Sequence, residues 1–251
     1  MAGLPIFPFV AVHLAPVVDG PACEADWLAL AARSGTPSAH LWRAPSGFVV
    51  PRSYERLPGW AAAIATTTAA GGSVQVRASG GGLVPQGPGL LNLSLSWRAG
   101  DSATPHDTDA VYRELAEALA EAFQRLAIVA SAQPVESSFC DGRFNLAVGG
   151  CKLVGTAQAW RRVERLQMVL AHAVIVVDAD PQELSDAANA FESAAGSTRH
   201  YRADVLTSVA RAWSAAHGGA APPPDLQAQV VRVVAERFAG YVAPVIIDRA
   251  D

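Results

Sequence analysis

The residues with the most chemistry to offer lie in one stretch, Glu136 to Arg162, which reads ESSFCDGRFNLAVGGCKLVGTAQAWRR. Cys140 sits in a short polar turn and is followed by Asp141, Gly142 and Arg143. Lys152 comes just after Gly149-Gly150 and is the only lysine over a long interval. A thiol attacks only as thiolate, and nearby cations or backbone N–H groups favour that form. Cys140, with Arg143 or Lys152 to hold its thiolate or an acyl carbonyl, therefore has the makings of covalent acyl chemistry. An unreactive, half-buried cysteine is the commoner role for such a residue. Cys151 precedes Lys152 in the same strand, so it points to the other face and is expected to be structural.

A second stretch is Arg77-Ala78-Ser79-Gly80-Gly81-Gly82-Leu83-Val84. Three consecutive glycines leave bare backbone that can approach a ligand and offer N–H groups. The bland alternative is a flexible connection. The block is neither a dinucleotide fingerprint nor a phosphate-binding P-loop, because the required glycine spacing and the Gly-Lys-Ser/Thr ending are missing.

These residues need rigid elements beneath them. Phe144 to Val148 alternates as a strand, Gly149-Gly150 signals a tight hairpin, and Cys151 to Ala157 returns as a second strand. Ser73 to Arg77 is a short strand that feeds the glycines. Leu90 to Trp97 is another, with Asn92, Ser94 and Ser96 on one face and Leu91, Leu93, Leu95 and Trp97 on the other. Leu166 to Val177 is a long apolar strand that carries His172, a site residue or a core histidine with equal weight.

Around these, Pro21–Ser34 and Pro58–Ala70 read as helices, and His40 to Val50 as a hairpin turning at Pro45-Ser46-Gly47. Asp107–Ala127 has the strongest helical period, with Val111, Leu115, Leu119 and Phe123 on one stripe. A strand is expected at Ala127 to Ser131. Asp180-Pro181-Gln182-Glu183 has the form of a helix start. Ala203–Ala216 and Asp225–Ala239 are expected helices on either side of a Gly/Pro linker, and Tyr241 to Ile247 a final strand. Hairpins and separated helices together indicate an α+β fold with mainly antiparallel pairing.

The chain has 251 residues, half of them apolar, which is enough for a substantial core. A net charge of −4 gives no basic footprint for nucleic acid and no polybasic patch for a membrane. No run is long and uniform enough to cross a bilayer. The apolar N-terminus lacks a basic leader region and is broken by prolines, so it is not read as a signal peptide. Three scattered cysteines fit a reducing cytoplasm and form no zinc or disulfide framework, so no metal site is expected.

The Lys-Leu-Val-Gly-Thr-Ala-Gln run after the Gly-Gly hairpin resembles the lipoate-protein ligase and octanoyltransferase family. So does the Arg-x-Ser-Gly-Gly-Gly-x-Val block followed by Leu-Asn-Leu-Ser-Leu. The two motifs stand in the family's order, and the similarity runs from roughly the first helix to the end of the chain. The resemblance implies the mixed α/β catalytic domain shared with biotin-protein ligases. On it, residues 1–251 form a single such domain, with 198–251 a helical C-terminal extension of it. It implies attachment of lipoate or octanoate to one lysine of lipoyl domains of 2-oxoacid dehydrogenases or of the glycine cleavage H protein.

Two chemistries occur in the family. Ligases use ATP and magnesium and pass through an acyl-adenylate. Transferases need no cofactor and pass an acyl group, from acyl carrier protein for example, through an enzyme cysteine. Cys140 sits where the cysteine-dependent branch carries its nucleophile. Pro85-Gln86 stands where ligases carry a His-Asp pair, and His172-Ala173-Val174 where the family has His-Gly-Ser or His-Gly-Thr. The resemblance gives Cys140 and Lys152 catalytic roles. It makes Arg77, Ser79, Gly80, Gly81, Gly82, Asn92, Ser94, Gly155, Thr156, Ala157, Gln158 and His172 substrate contacts, with Gln158 bonding a substrate amide. Three readings stay open: a cysteine-dependent transferase, an ATP-dependent ligase, and a non-catalytic binder of an acyl group or lipoyl domain.

Overall fold

The computed structural model describes residues 4–78, 80–99, 107–240 and 242–248. Six helices lie at Gly20–Ser34 (α1), Trp60–Ala69 (α2), Thr108–Gln124 (α3), Pro181–Ala195 (α4), Val209–Ala216 (α5) and Leu226–Phe238 (α6). Eleven strands are Ala11–His13 (β1), Ser38–Trp42 (β2), Gly47–Pro51 (β3), Ser73–Arg77 (β4), Val84–Gln86 (β5), Leu90–Arg98 (β6), Ser131–Gln133 (β7), Asn145–Val148 (β8), Cys151–Val163 (β9), Leu166–Val176 (β10) and Val245–Ile247 (β11).

Eight strands form one sheet in the order β11-β1-β2-β6-β10-β9-β8-β7, and three form a smaller sheet, β4-β3-β5. Pairing is antiparallel except for β1 with β11, β1 with β2, and β3 with β4. The fold is the expected α+β class with mainly antiparallel sheets.

The period of α3 sets the main core. Val111, Leu115, Leu119 and Phe123 are buried with Val230 and Val234 of α6 against Leu91, Leu93, Leu95 and Trp97 of β6. That is the face of β6 read as apolar from sequence. Its other face, with Asn92, Ser94 and Ser96, is buried too. There α1 covers the sheet, with Leu28 and Ala31 packed on Met168 and Leu170 of β10. A second core joins the small sheet to α2 and α4 through Phe48, Val50, Ala63, Ala188 and Phe191. Asp19, Asp107 and Asp180 each cap a helix by accepting from backbone N–H groups one turn in.

Five expectations are corrected. The segment His40 to Val50 is not a hairpin: β2 joins the large sheet beside β6, and β3 joins the small one parallel to β4. Gly47 serves a close crossing rather than a turn, since a Cβ there would lie 1.9 Å from the Ser73 oxygen. Residues 127–131 are not the strand; Ala127, at φ 60°, turns the chain out of α3 and β7 begins at Ser131. The helix expected over Ala203–Ala216 is a short 3-10 turn, Ala203–Val205, followed by α5. Between them Leu206 bridges to Lys152 and the Thr207 N–H donates to the Lys152 carbonyl, so the chain pairs with β9 instead of coiling. The strand after Gly149-Gly150 continues past Ala157 to Val163. The last strand is shorter than expected, and its proposed first residue, Tyr241, lies outside the described residues, as does Ser79.

Candidate active site

The site opens between the two sheets and is a largely apolar cavity of about 860 Å3 including its mouth. Arg77, Asn92, Cys140, Lys152, Gly155 and His172 all line it. Thr156 and Ala157 line it as well, and Thr156 also donates to the Phe144 carbonyl.

Lys152 reaches the cavity through a bulge. Ala147 of β8 pairs with Lys152, but Leu146 pairs with Val154, so one extra residue sits in β9. Such a bulge re-aims a side chain. The lysine runs along the strand until its Nζ lies 3.2 Å from where a Gly155 Cβ would be. Glycine at 155 keeps that lane clear. The amine is buried and donates to the carbonyls of Phe139 and Cys140, the latter at 3.0 Å. Burial pushes its pKa down to about 8, against the upward pull of Cys140 and Asp141. It is the only lysine in the chain.

Cys140 has a left-handed backbone, φ 52°. A non-glycine residue pays for that conformation, and it persists where the surroundings over-determine it. They do here. The Cys140 carbonyl accepts from the Gly142 N–H at 2.8 Å, from Asn145 Nδ2 at 3.1 Å and from Lys152 Nζ. Phe139 anchors the turn on Tyr201, with ring centres 4.8 Å apart.

Gly80, Gly81 and Gly82 are not among the cavity's lining residues, but Gly81 and Gly82 lie against Cys140. Arg77 is buried and donates to the carbonyls of Val49, Gly80 and Gly82. Its guanidinium therefore shapes the loop from within. A Cβ on Gly81, at φ 104°, would lie 2.8 Å from Cys140 Sγ and 3.1 Å from Arg77 Nη2. Thiol and guanidinium thus flank one small gap and are less than about 6 Å apart. Gly82 passes close to the Cys140 backbone, whereas Gly80 faces open space. Burial lowers the Arg77 pKa, opposed by the negative character of Cys140 and Glu24; the residue stays cationic.

Several expected residues stand elsewhere. Arg143 is exposed, pairs with Asp109 at 3.0 Å and stacks over Phe144, so the cation beside the thiol is Arg77. Gln158 donates to the Thr108 carbonyl and accepts from Trp160 Nε1, away from the cavity. Ser94 is buried beneath the lining, accepting from Trp42 Nε1 and donating to Glu24. Asn92 lines the cavity as one half of an amide pair with Gln86. Cys151 turns away, 3.4 Å from the Asp204 carbonyl.

The geometry adds Glu24 and Asn145. Glu24 is buried under the cavity and bonded to His172 Nδ1 at 3.0 Å. Desolvation would raise its pKa, but the charge of His172 and the bonds from His172 and Ser94 outweigh that and lower it. An isolated glutamate in an alanine-rich helix carries no sequence signal. Asn145 could have been suspected from its polar side chain at the head of a buried strand.

Among the described residues, no group of three or more His, Cys, Asp or Glu side chains is placed to hold a metal ion, and no described helix is long and apolar enough to cross a membrane.

Comparison with known proteins bears on the family and the fold. An uncharacterized protein of Cupriavidus necator is 43% identical over 211 residues, covering 79% of this chain and 83% of that one. The octanoyl-(GcvH):protein N-octanoyltransferase of Kyrpidia tusciae is 34% identical over 142 residues, covering 54% of this chain and about half of the relative, 48%. In fold, the chain resembles lipoate-protein ligase A bound with ATP, with a TM-score of 0.61 at 17% identity over 96% of this chain and 88% of that one. The bipartite lipoate protein ligase of Thermoplasma acidophilum gives 0.60 at 17% over 98% and 87%. Residues 25–213 match the family described as the lipoyl protein ligase A/B catalytic domain. The chain belongs to that family, and is an enzyme acting on lipoyl or octanoyl groups.

Proposed function

We propose that this enzyme transfers an octanoyl or lipoyl group from a thioester carrier to a specific lysine of a lipoyl domain or of the glycine cleavage H protein, through a thioester on Cys140. The observation that carries the reading is the gap at Gly81, flanked by the Cys140 sulfur and the Arg77 guanidinium. The guanidinium is placed to meet negative charge on the sulfur during the reaction.

In the first half-reaction the thiolate attacks the acyl carbonyl, the carrier's C–S bond breaks, and the carrier sulfur leaves and takes up a proton. In the second, the acceptor amine attacks the acyl-Cys140 carbonyl, loses a proton and forms an amide, which returns the thiolate. Negative charge grows on the acyl oxygen in both steps. Lys152, as the ammonium, lines the cavity beside Cys140 and can meet it. Lys152 also pins the Cys140 carbonyl. The route uses no nucleotide. Gln86, where the family's ligases carry their His-Asp pair, is tied into β5 and spent on Asn92.

The test is transfer from octanoyl-carrier protein to isolated H protein, followed by mass. Cys151→Ala is expected to transfer at nearly the wild-type rate and Cys140→Ala not at all. Full transfer by Cys140→Ala, or modification that requires ATP, would overturn the reading.

A further inference from the structure

The cavity changes character along β10. Each rung of β10 and β6 presents one pair of residues: Val176 with Leu90, then Val174 with Asn92, then His172 with Ser94. Gly155 pairs with Val174, so the Lys152 amine lies at the middle rung. The His172 rung is two residues away, about 7 Å at the rise of a strand. With C–C bonds of about 1.5 Å laid in a zigzag, roughly the sixth carbon of an acyl chain would reach it.

That rung is polar in an unusual way. Glu24 comes down from α1, and one of its oxygens, Oε1, takes both the Ser94 hydroxyl at 2.7 Å and the His172 ring at 3.0 Å. Among the described residues no hydrogen bond reaches Oε2 of Glu24 or Nε2 of His172. Both side chains line the cavity, and Glu24 is only 8% exposed. A carboxylate oxygen only accepts, so Oε2 of Glu24 offers the rung an acceptor that no described residue donates to. A saturated tail laid over it would strip water from a carboxylate and return nothing. A hydroxyl or thiol would return a hydrogen bond to a charged group.

We propose that the cavity selects a medium-chain acyl group that carries a hydrogen-bond donor, a hydroxyl or thiol, near its far end, with Glu24, held by His172, as the selecting residue. The inference rests on the acyl-transfer reading above. A chain lying instead toward Val176 and Leu90 would meet only apolar walls and would show the opposite preference.

The test is calorimetric titration of the full chain with octanoate, 8-hydroxyoctanoate and dihydrolipoate kept reduced. At least ten-fold tighter binding of one donor-bearing acid over octanoate is expected, and which of the two gains shows whether hydroxyl or thiol is preferred. Glu24→Gln is expected to narrow the gap and Glu24→Leu to reverse it. A merely structural Glu24 would weaken all three acids alike. Octanoate binding as tightly as both others to the wild type would overturn the proposal without any variant. An octanoyl adduct on Cys140 together with that result would leave the transferase reading standing. Absence of both binding and adduct would remove both.

Discussion

The Lys152 ammonium donates to the main-chain oxygen of Cys140 at 3.0 Å, so the lysine holds the backbone of the residue whose sulfur is to react. With Asn145 and the Gly142 N–H on the same oxygen, it fixes a left-handed cysteine in place. The sulfur is thereby aimed at the Gly81 gap. A thiol on an ordinary strand would have no such restraint.

Because Lys152 is the only lysine, lysine-selective isotope labelling yields a single side chain to follow. Its NMR titration is expected near pH 8 in the folded protein and near 10.5 once unfolded. The folded pKa is depressed, so the unfolded chain binds more protons between these values and stability gains as pH rises from 8 to 10.5. Lys152→Met should lack that gain in denaturant midpoints. The rate of Cys140 acylation should fall as pH passes about 8, where the ammonium is lost, and Lys152→Arg, which stays charged, should lack that limb in whatever rate it retains.

Gly81→Ala and Gly80→Ala make a matched pair. A Cβ at 81 meets the thiol and the guanidinium in a backbone conformation that alanine resists, whereas one at 80 meets nothing within 4 Å. Acylation by Gly81→Ala should drop at least 100-fold, while Gly80→Ala stays within about three-fold. Pre-steady-state adduct formation reads both.

Arg77→Met removes the donor for three carbonyls, two of them buried, and should cost about 3 kcal/mol in urea unfolding as well as the reaction. Arg77→Lys keeps the charge but not the fork, and should recover stability less than fully. Arg143→Ala, by contrast, should change acylation by less than about three-fold, because Arg143 is spent on Asp109 at the surface.

Much of this was legible in the sequence for local reasons. The four-residue stripe of α3, the Gly149-Gly150 hairpin and the Asp180 cap are written in neighbouring residues, and each formed. The failures were long-range. Gly47 looks like a turn glycine, yet it allows a close parallel crossing with Ser73, which nothing near it in sequence announces. Helical propensity across Ala203–Ala216 was overridden by pairing of Leu206 with Lys152. In the site, the motifs pointed to Cys140, Lys152 and the glycines, with Arg143 or Lys152 as the cation for the thiol, both near Cys140 in sequence. Arg77 is far in sequence and reaches the thiol through the loop it folds. Glu24 meets His172 only because α1 lies across β10, a packing choice rather than a pattern.

The central claim is a covalent acyl-Cys140 intermediate, and intact-protein mass spectrometry after mixing with octanoyl-carrier protein tests it most directly. The account predicts one octanoyl adduct that hydroxylamine removes, present in Cys151→Ala and absent in Cys140→Ala. No adduct from the carrier, with a tightly held lipoyl-adenylate forming from lipoate and Mg-ATP, would contradict it.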